Sequence, residues 1–459
     1  MIKIPAVEFA KVVSGSLHEI DPQMIINQSP VINSKKASKD NFFVAFVGAQ
    51  VDGHDYVKEA IELGAKFALV SKSVSAPHIL VADVGQALTD LAIYLRVKLS
   101  DLKVVGITGS QGKTTTKEFL NSILTLDGQT IATDGNFNTD IGVPLTLLRS
   151  NETTKYCVLE MGARHMGDIA RLTKVAKPNV GVVLVVGTAH AGEFGSVEAI
   201  AKTKSELITN LPAKSTAVLG TYDSYTPKMA DSLELERILF GENQAVRAAD
   251  VEIHGGFAHF DLVTPTGRTA VSLQVLGEHQ IPNALAAAAA AYALGVSNEV
   301  IAEGLITATL DSKWRMQIEE VNGVQIIHDY YNANPESMQA ALKTLTLLTQ
   351  ESGGSSWAIL GKMHELGALE VQGHQGVTSY SRAAGVDHFV AVATNLYQDD
   401  ANQSFTENMQ QHNCLNAQAV LELVNNVSVG DVILLKASRS ERFEELAVLI
   451  KDKLNGVGK

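Results

Sequence analysis

The chain has 459 residues, 46% hydrophobic and 19% charged, so about three domains of roughly 150 residues are expected, and a mostly disordered chain is excluded. Its 36 glycines follow no fixed period, which excludes a collagen-like fibre. With 37 basic against 50 acidic residues the formal charge is −13, a poor balance for nucleic acid or an anionic membrane, although it leaves room for a local basic pocket.

Two cysteines, Cys157 and Cys414, are too few for a disulfide framework or a cysteine zinc site. Cys157 lies in the apolar run Tyr156 to Leu159 and reads as a buried strand thiol. The residues from Met1 to Val13 lack the pattern of a signal peptide, and the longest mostly apolar stretch, Ile281 to Leu294, is too short to span a bilayer. A soluble protein of the cytoplasm, with no membrane insertion and no nucleic acid partner, is expected.

In chain order, residues 1–100 read as a smaller N-terminal α/β domain. Its strands are expected at Asn41 to Phe46, Ala65 to Val70 and His78 to Asp83, and its helices at Tyr56 to Leu63 and Ala87 to Leu99. Residues 101–312 read as a central, doubly wound, mostly parallel sheet of the P-loop type. Leu102 to Ile107 is a strand, Lys113 to Leu126 a helix, and Tyr156 to Glu160, Val180 to Val186 and Thr216 to Leu219 are further strands. A patch from Arg237 to Leu276 is expected to be antiparallel. An alanine-rich helix follows it, with Pro282 in its first turn and Gly295 just past its end. Residues 313–459 read as a Rossmann-like α/β sheet with strands at Trp357 to Leu360, Phe389 to Ala393 and Val432 to Lys436.

The strongest chemical signal is Thr108-Gly109-Ser110-Gln111-Gly112-Lys113-Thr114-Thr115, between a strand and a helix. Glycines let backbone wrap a phosphate, helix-start N–H groups face the anion, Lys113 reaches the outer phosphates and Thr114 holds Mg²⁺. In a general P-loop the first glycine would fall at Ile107; the spacing here is Gly109-x-x-Gly112-Lys113-Thr114. Glu160, before Met161-Gly162, ends a strand at the edge where α/β ligands bind and is a natural Mg²⁺ ligand, unless it merely faces water. His190 follows the next strand. The helix Val197 to Leu207 carries Lys202, Lys204 and Glu206, which by composition is a solvated face. Asp329-Tyr330-Tyr331-Asn332-Ala333-Asn334-Pro335-Glu336-Ser337 is dense in ligand-type groups: Asp329 could accept from a ribose hydroxyl, and Asn334 could simply cap a helix starting at Pro335. Two weaker clusters end strands of the third sheet, Gly361 to Gly367 and Lys436 to Arg439; His364 and Glu365 read as loop polar groups, not zinc ligands.

With these motifs in this order, the chain resembles the Mur ligase family over essentially its whole length. The phosphate loop, Glu160-Met161-Gly162, His279 to Asn283 with its alanine helix, and Asp329 to Ser337 carry the likeness, and Asp52-Gly53-His54 resembles a uridine-nucleotide domain. The resemblance implies a three-domain ligase that uses ATP to join D-alanyl-D-alanine to UDP-N-acetylmuramoyl-tripeptide through an acyl phosphate, the last cytoplasmic step toward the peptidoglycan pentapeptide precursor. It implies two Mg²⁺ ions held by Thr114, Glu160, His190 and a carbamylated Lys204, with Lys204 preferred to Lys202 by family register. Asn283 is matched to the adenine, Arg315 to the phosphates and Asp329 to the ribose. Ser34, Asn136, Asn138, Tyr331, Asn332 and Asn334 are matched to the substrate side, and a monomer is expected. The chain departs from the family pattern at Lys35, Thr139, His328, Lys362 and Ala437. Two rivals are a sister ligase adding another amino acid, which Asn332 to Pro335 disfavours, and a nucleotide-dependent switch without ligase chemistry.

Overall fold

A computed structural model of the chain describes residues 1–188, 191–310, 312–398 and 409–456. Near the N-terminus, Ser16–His18, His78–Leu80, Ala68–Val70, Asn41–Val44 and Ser29–Val31 lie side by side in that order, with only the first pair antiparallel. The strand expected to run to Asp83 stops at Leu80 because Asp83 is a helix cap. Its Oδ1 accepts from the Gln86 N–H at 3.0 Å, so the next helix is Val84–Lys98. That helix is anchored to the central layer through a buried Arg96, whose Nε donates to Ala176 O at 3.0 Å and whose Nη2 donates to Asn179 Oδ1 at 3.2 Å. A guanidinium is tolerated in such a place only with acceptors of this kind.

The central sheet runs Glu236–Phe240, Thr216–Gly220, Val180–Val183, Lys103–Thr108, Tyr156–Glu160, Thr130–Ala132, all parallel. Its inner strands are buried along nearly their whole length, as continuous apolar runs require of a sheet covered on both faces. Chain order reverses around Lys103–Thr108, so the loops after it, after Tyr156–Glu160 and after Val180–Val183 converge at one carboxyl edge. The patch expected to be antiparallel divides. Glu236–Phe240 adds a parallel edge to this sheet, whereas Arg247–His254, Phe257–Thr264 and Gly267–Leu276 form an antiparallel meander. The alternating burial of Phe257–Thr264 suits a sheet with one wet face. Helices Lys113–Asp127 and Gln280–Ala293 share the core between sheet and meander, where alanine side chains let the second lie close.

The third sheet runs Gln317–Val321, Val324–His328, Val432–Lys436, Ser356–Leu360, His388–Val392, Gln410–Cys414, with only the first pair antiparallel. Apolar clusters cover both of its faces. Among the described residues no helix is long and apolar enough to cross a membrane.

Candidate active site

Thr108 ends the middle strand of the central sheet, and Gly109 to Gly112 turn the chain into the helix that opens at Lys113. Gly112 has φ 83°, and a Cβ on it would overlap Asn283 Oδ1, so both its conformation and its surroundings require glycine. No side chain caps this helix, which leaves its first N–H groups directed into the turn. Lys113 arches back over the loop and donates to Gly109 O at 2.8 Å. Burial lowers its pKa; the charge of Glu160 opposes that fall and Arg315 adds to it. Backbone donors beside a lysine with no anionic partner among the described residues fit a polyphosphate.

Oxygen donors stand next to this loop. Glu160, 3% exposed, ends its strand with Oε2 accepting from the Thr114 hydroxyl at 2.9 Å and Oε1 from Asn138 Nδ2 at 2.8 Å. Its backbone N–H donates to Thr133 Oγ1 at 3.1 Å. A hydroxyl and a carboxylate in contact form the start of a shell for a hard divalent cation. The helix Val197–Thr209, capped by Ser196, turns Lys204 inward and Lys202 to the exterior. Lys204 has no hydrogen bond or ion pair among the described residues. Burial, and then the charge of Lys113, push its pKa well below the ordinary lysine value. His190 lies outside the described residues.

The third sheet supplies the opposite wall. Asp329 follows the strand Val324–His328, and its Oδ2 accepts from Lys436 Nζ at 2.6 Å. Lys436 is fully buried and also donates to Asn332 O at 3.0 Å. The Arg315 guanidinium lies 4.0 Å above the Tyr331 ring, a cation–π contact. Asn334 has the structural role open to it: its Oδ1 accepts from the Ser337 N–H at 2.8 Å in a capping box that starts the helix Pro335–Ser352. Asn283 Nδ2 donates to Gln280 Oε1 at 2.8 Å.

One cleft of about 900 Å³ lies between these walls. Thr108 to Thr115, Asn136, Asn138, Glu160 and Lys204 line it from the central side, and Asn283, Arg315, Asp329, Tyr331, Asn332 and Asn334 complete it. Ser34 stands apart, buried at the start of a single 3₁₀ turn (Ser34–Lys36) beside the N-terminal sheet. Lys436 belongs to the cleft more fully than its sequence context suggests; its position at the end of the strand Val432–Lys436 was the available signal. Glu336 stands inside the Asp329 to Ser337 motif, but no role of its own is legible for it in the sequence. His364 is a loop group held by Glu441 at 2.6 Å, and Cys157 is buried, its thiol pushed up to about 12 by burial.

Residues 107–291 match the Mur ligase middle domain, residues 314–439 the Mur ligase glutamate ligase domain, and residues 31–94 the Mur ligase family catalytic domain. The UDP-N-acetylmuramoyl-tripeptide–D-alanyl-D-alanine ligase of Mycobacterium tuberculosis is 34% identical, covering 96% of each chain. That of Escherichia coli is 31% identical over 98% of this chain and 99% of its own. A crystal structure of MurF from Acinetobacter baumannii superposes with a TM-score of 0.87 at 33% identity, covering 98% of this chain and 99% of that one. The MurF ligase of Thermotoga maritima in complex with ADP gives a TM-score of 0.79 at 29% identity, over 94% and 98%.

Proposed function

The chain belongs to the Mur ligase family, and we infer that it is the ATP-dependent ligase that joins D-alanyl-D-alanine to UDP-N-acetylmuramoyl-tripeptide in peptidoglycan precursor synthesis. The observation that carries this reading is the convergence of a phosphate loop, a Thr114–Glu160 oxygen pair and a buried unpaired Lys204 on one wall of a cleft whose other wall holds Asp329 to Asn334.

ATP lies with its phosphates on Gly109 to Thr115. Lys113 exchanges Gly109 O for a phosphate oxygen, Arg315 assists it, Asn283 faces the adenine and Asp329 accepts from the ribose. Thr108, Ser110 and Gln111 shape the loop. The terminal carboxylate of the tripeptide attacks the γ-phosphorus, the bond to ADP breaks, and an acyl phosphate forms. The dipeptide amine then attacks the acyl carbon, gives up a proton, and phosphate leaves with its bonding electron pair. Bound magnesium, held by Thr114 and Glu160 and at a second position by His190, supplies charge neutralisation along this path.

Lys204 is read as the carbamylated lysine. Its depressed pKa supplies the neutral amine that adds to CO₂, forming an N–C bond and releasing a proton, and the product carries the anionic oxygens a hard cation prefers. Asn136, Asn138, Tyr331, Asn332 and Asn334 face the peptide substrate, and Ser34 serves the uridine end. The domain limits follow, with 1–100 for the UDP substrate, 101–312 for ATP and 313–459 as the closing domain. A monomer is proposed, and nucleotide-linked soluble substrates support action in the cytoplasm.

The test is phosphate release from ATP with UDP-N-acetylmuramoyl-tripeptide, with and without D-alanyl-D-alanine. Release that needs both, with a pentapeptide product by mass, is expected. Release triggered by a single amino acid instead would move the protein to a sister ligase, and release indifferent to every amine would overturn the ligase reading.

A further inference from the structure

Glu336 lies in the first turn of the helix Pro335–Ser352, where an acid alone is no more than a favourable partner of the helix dipole. Its carboxylate does something further, because it leaves its own domain. Oε1 accepts from the Thr188 N–H at 3.0 Å and from the Thr188 hydroxyl at 2.8 Å, and Oε2 lies 3.0 Å from the same hydroxyl. Thr188 belongs to the segment after the central strand Val180–Val183, so these bonds cross from one wall of the cleft to the other.

The receiving segment is wired to the phosphate loop. The Gly187 N–H donates to Ser110 Oγ at 2.9 Å, and the Ser110 hydroxyl lies 3.3 Å from Gly187 O. Further along, the Gly192 N–H donates to Glu365 O at 3.1 Å, and a Cβ on Gly192 would come within 2.8 Å of Gly367 N. Backbone thus meets backbone across the same boundary. Among the described residues Thr188 is the partner that the Glu336 carboxylate holds across this boundary.

We propose that Glu336 is a positioning residue for the ligation, a latch that holds the cleft closed by registering the Asp329–Asn334 wall against the phosphate loop through Thr188 and Ser110. The kinetic side of this inference rests on the ligase reading; the geometric side does not. Two hydrogen bonds to a carboxylate suffice to shift an open–closed balance about tenfold.

The experiment compares Glu336→Ala with Glu336→Gln in the full chain. The alanine variant is expected to lower kcat about tenfold at saturating substrates. The glutamine variant keeps an amide oxygen that accepts from both Thr188 donors, and should retain at least about half of the wild-type kcat. A helix-dipole role would be lost equally in both variants, so a glutamine variant as slow as the alanine one overturns the latch, as does an alanine variant with wild-type kcat. Small-angle scattering of the three proteins in one buffer gives a readout that needs no activity. A larger radius of gyration for Glu336→Ala alone is expected, and equal radii overturn the proposal. Should the wild-type protein fail to ligate, the ligase reading falls while the scattering comparison still decides the latch.

Discussion

The central and C-terminal sheets both end their strands in polar groups at the cleft, and they treat charge in opposite ways. At the C-terminal edge the lysines and His364 are matched internally, Lys436 with Asp329 at 2.6 Å, His364 with Glu441 at 2.6 Å and Lys362 with Glu370 at 2.9 Å, while Arg315 lies on the Tyr331 ring and Glu336 reaches across to Thr188. At the central edge Lys113 reaches only a backbone carbonyl, and Lys204 reaches nothing among the described residues. A buried cation without a counter-ion is costly, and burial accordingly drives both lysine pKa values down. The central edge is therefore electrostatically incomplete until a polyanion meets Lys113 and, as proposed, CO₂ meets Lys204, whereas the C-terminal edge has already paired its lysines and positions what the other edge binds.

The same substitution at both edges puts this contrast at risk. Lys204→Met is expected to lower ATP- and dipeptide-dependent phosphate release by about a thousandfold or more. The same change should leave the stability of the ligand-free protein equal or higher, since an apolar side chain replaces a desolvated amine. Lys436→Met strands the Asp329 carboxylate without its buried partner and is expected to cost about 3 kcal/mol of unfolding free energy. Denaturant titrations of the two variants check both signs. Equal destabilisation would erase the distinction between the edges.

A smaller effect isolates the backbone share of the central edge. Gly112→Ala adds a methyl group that overlaps Asn283 Oδ1 in a left-handed backbone conformation, at a cost of about 1–3 kcal/mol. Calorimetry should show ADP binding at least about tenfold weaker, although no charge has been touched. Unchanged ADP affinity would mean that the loop does not hold the nucleotide in this conformation.

What was legible in the sequence follows the same division. Tyr156–Glu160 and Val432–Lys436 could be read to the residue, because a strand buried on both faces is a continuous apolar run. The run from Val180 looked equally continuous to Val186, yet the strand ends at Val183 and the Val186 N–H donates to Asp223 Oδ2 at 2.9 Å. Hydropathy does not separate an apolar strand from an apolar loop leading to a site. Composition left Lys202 and Lys204 equivalent, and only the rotation of the helix Val197–Thr209 distinguishes them. Lys436 with Asp329, and Glu336 with Thr188, are partners chosen by the docking of domains across long stretches of chain, and no local pattern announces such a choice.

The smallest expected effect tests the C-terminal wall through pH. His279 stands at the start of the alanine helix, makes no side-chain cap, and lines the cleft together with Asp329 and Lys436. Burial lowers its pKa from 6.5 to about 4; Asp329 opposes the shift and Lys436 adds to it. Between those two values the unfolded chain holds a proton that the folded chain does not. Stability from this group is therefore lost as pH falls through that window, and the loss stops growing below about 4. Going from pH 7 to pH 6, the wild-type protein should lose roughly 0.7 kcal/mol more unfolding free energy than His279→Asn. In a Lys436→Met background the difference should shrink, because one of the charges that keeps His279 neutral has gone. A difference that persists undiminished would show that burial alone governs His279, and that the internal pairing of this wall does not extend to it.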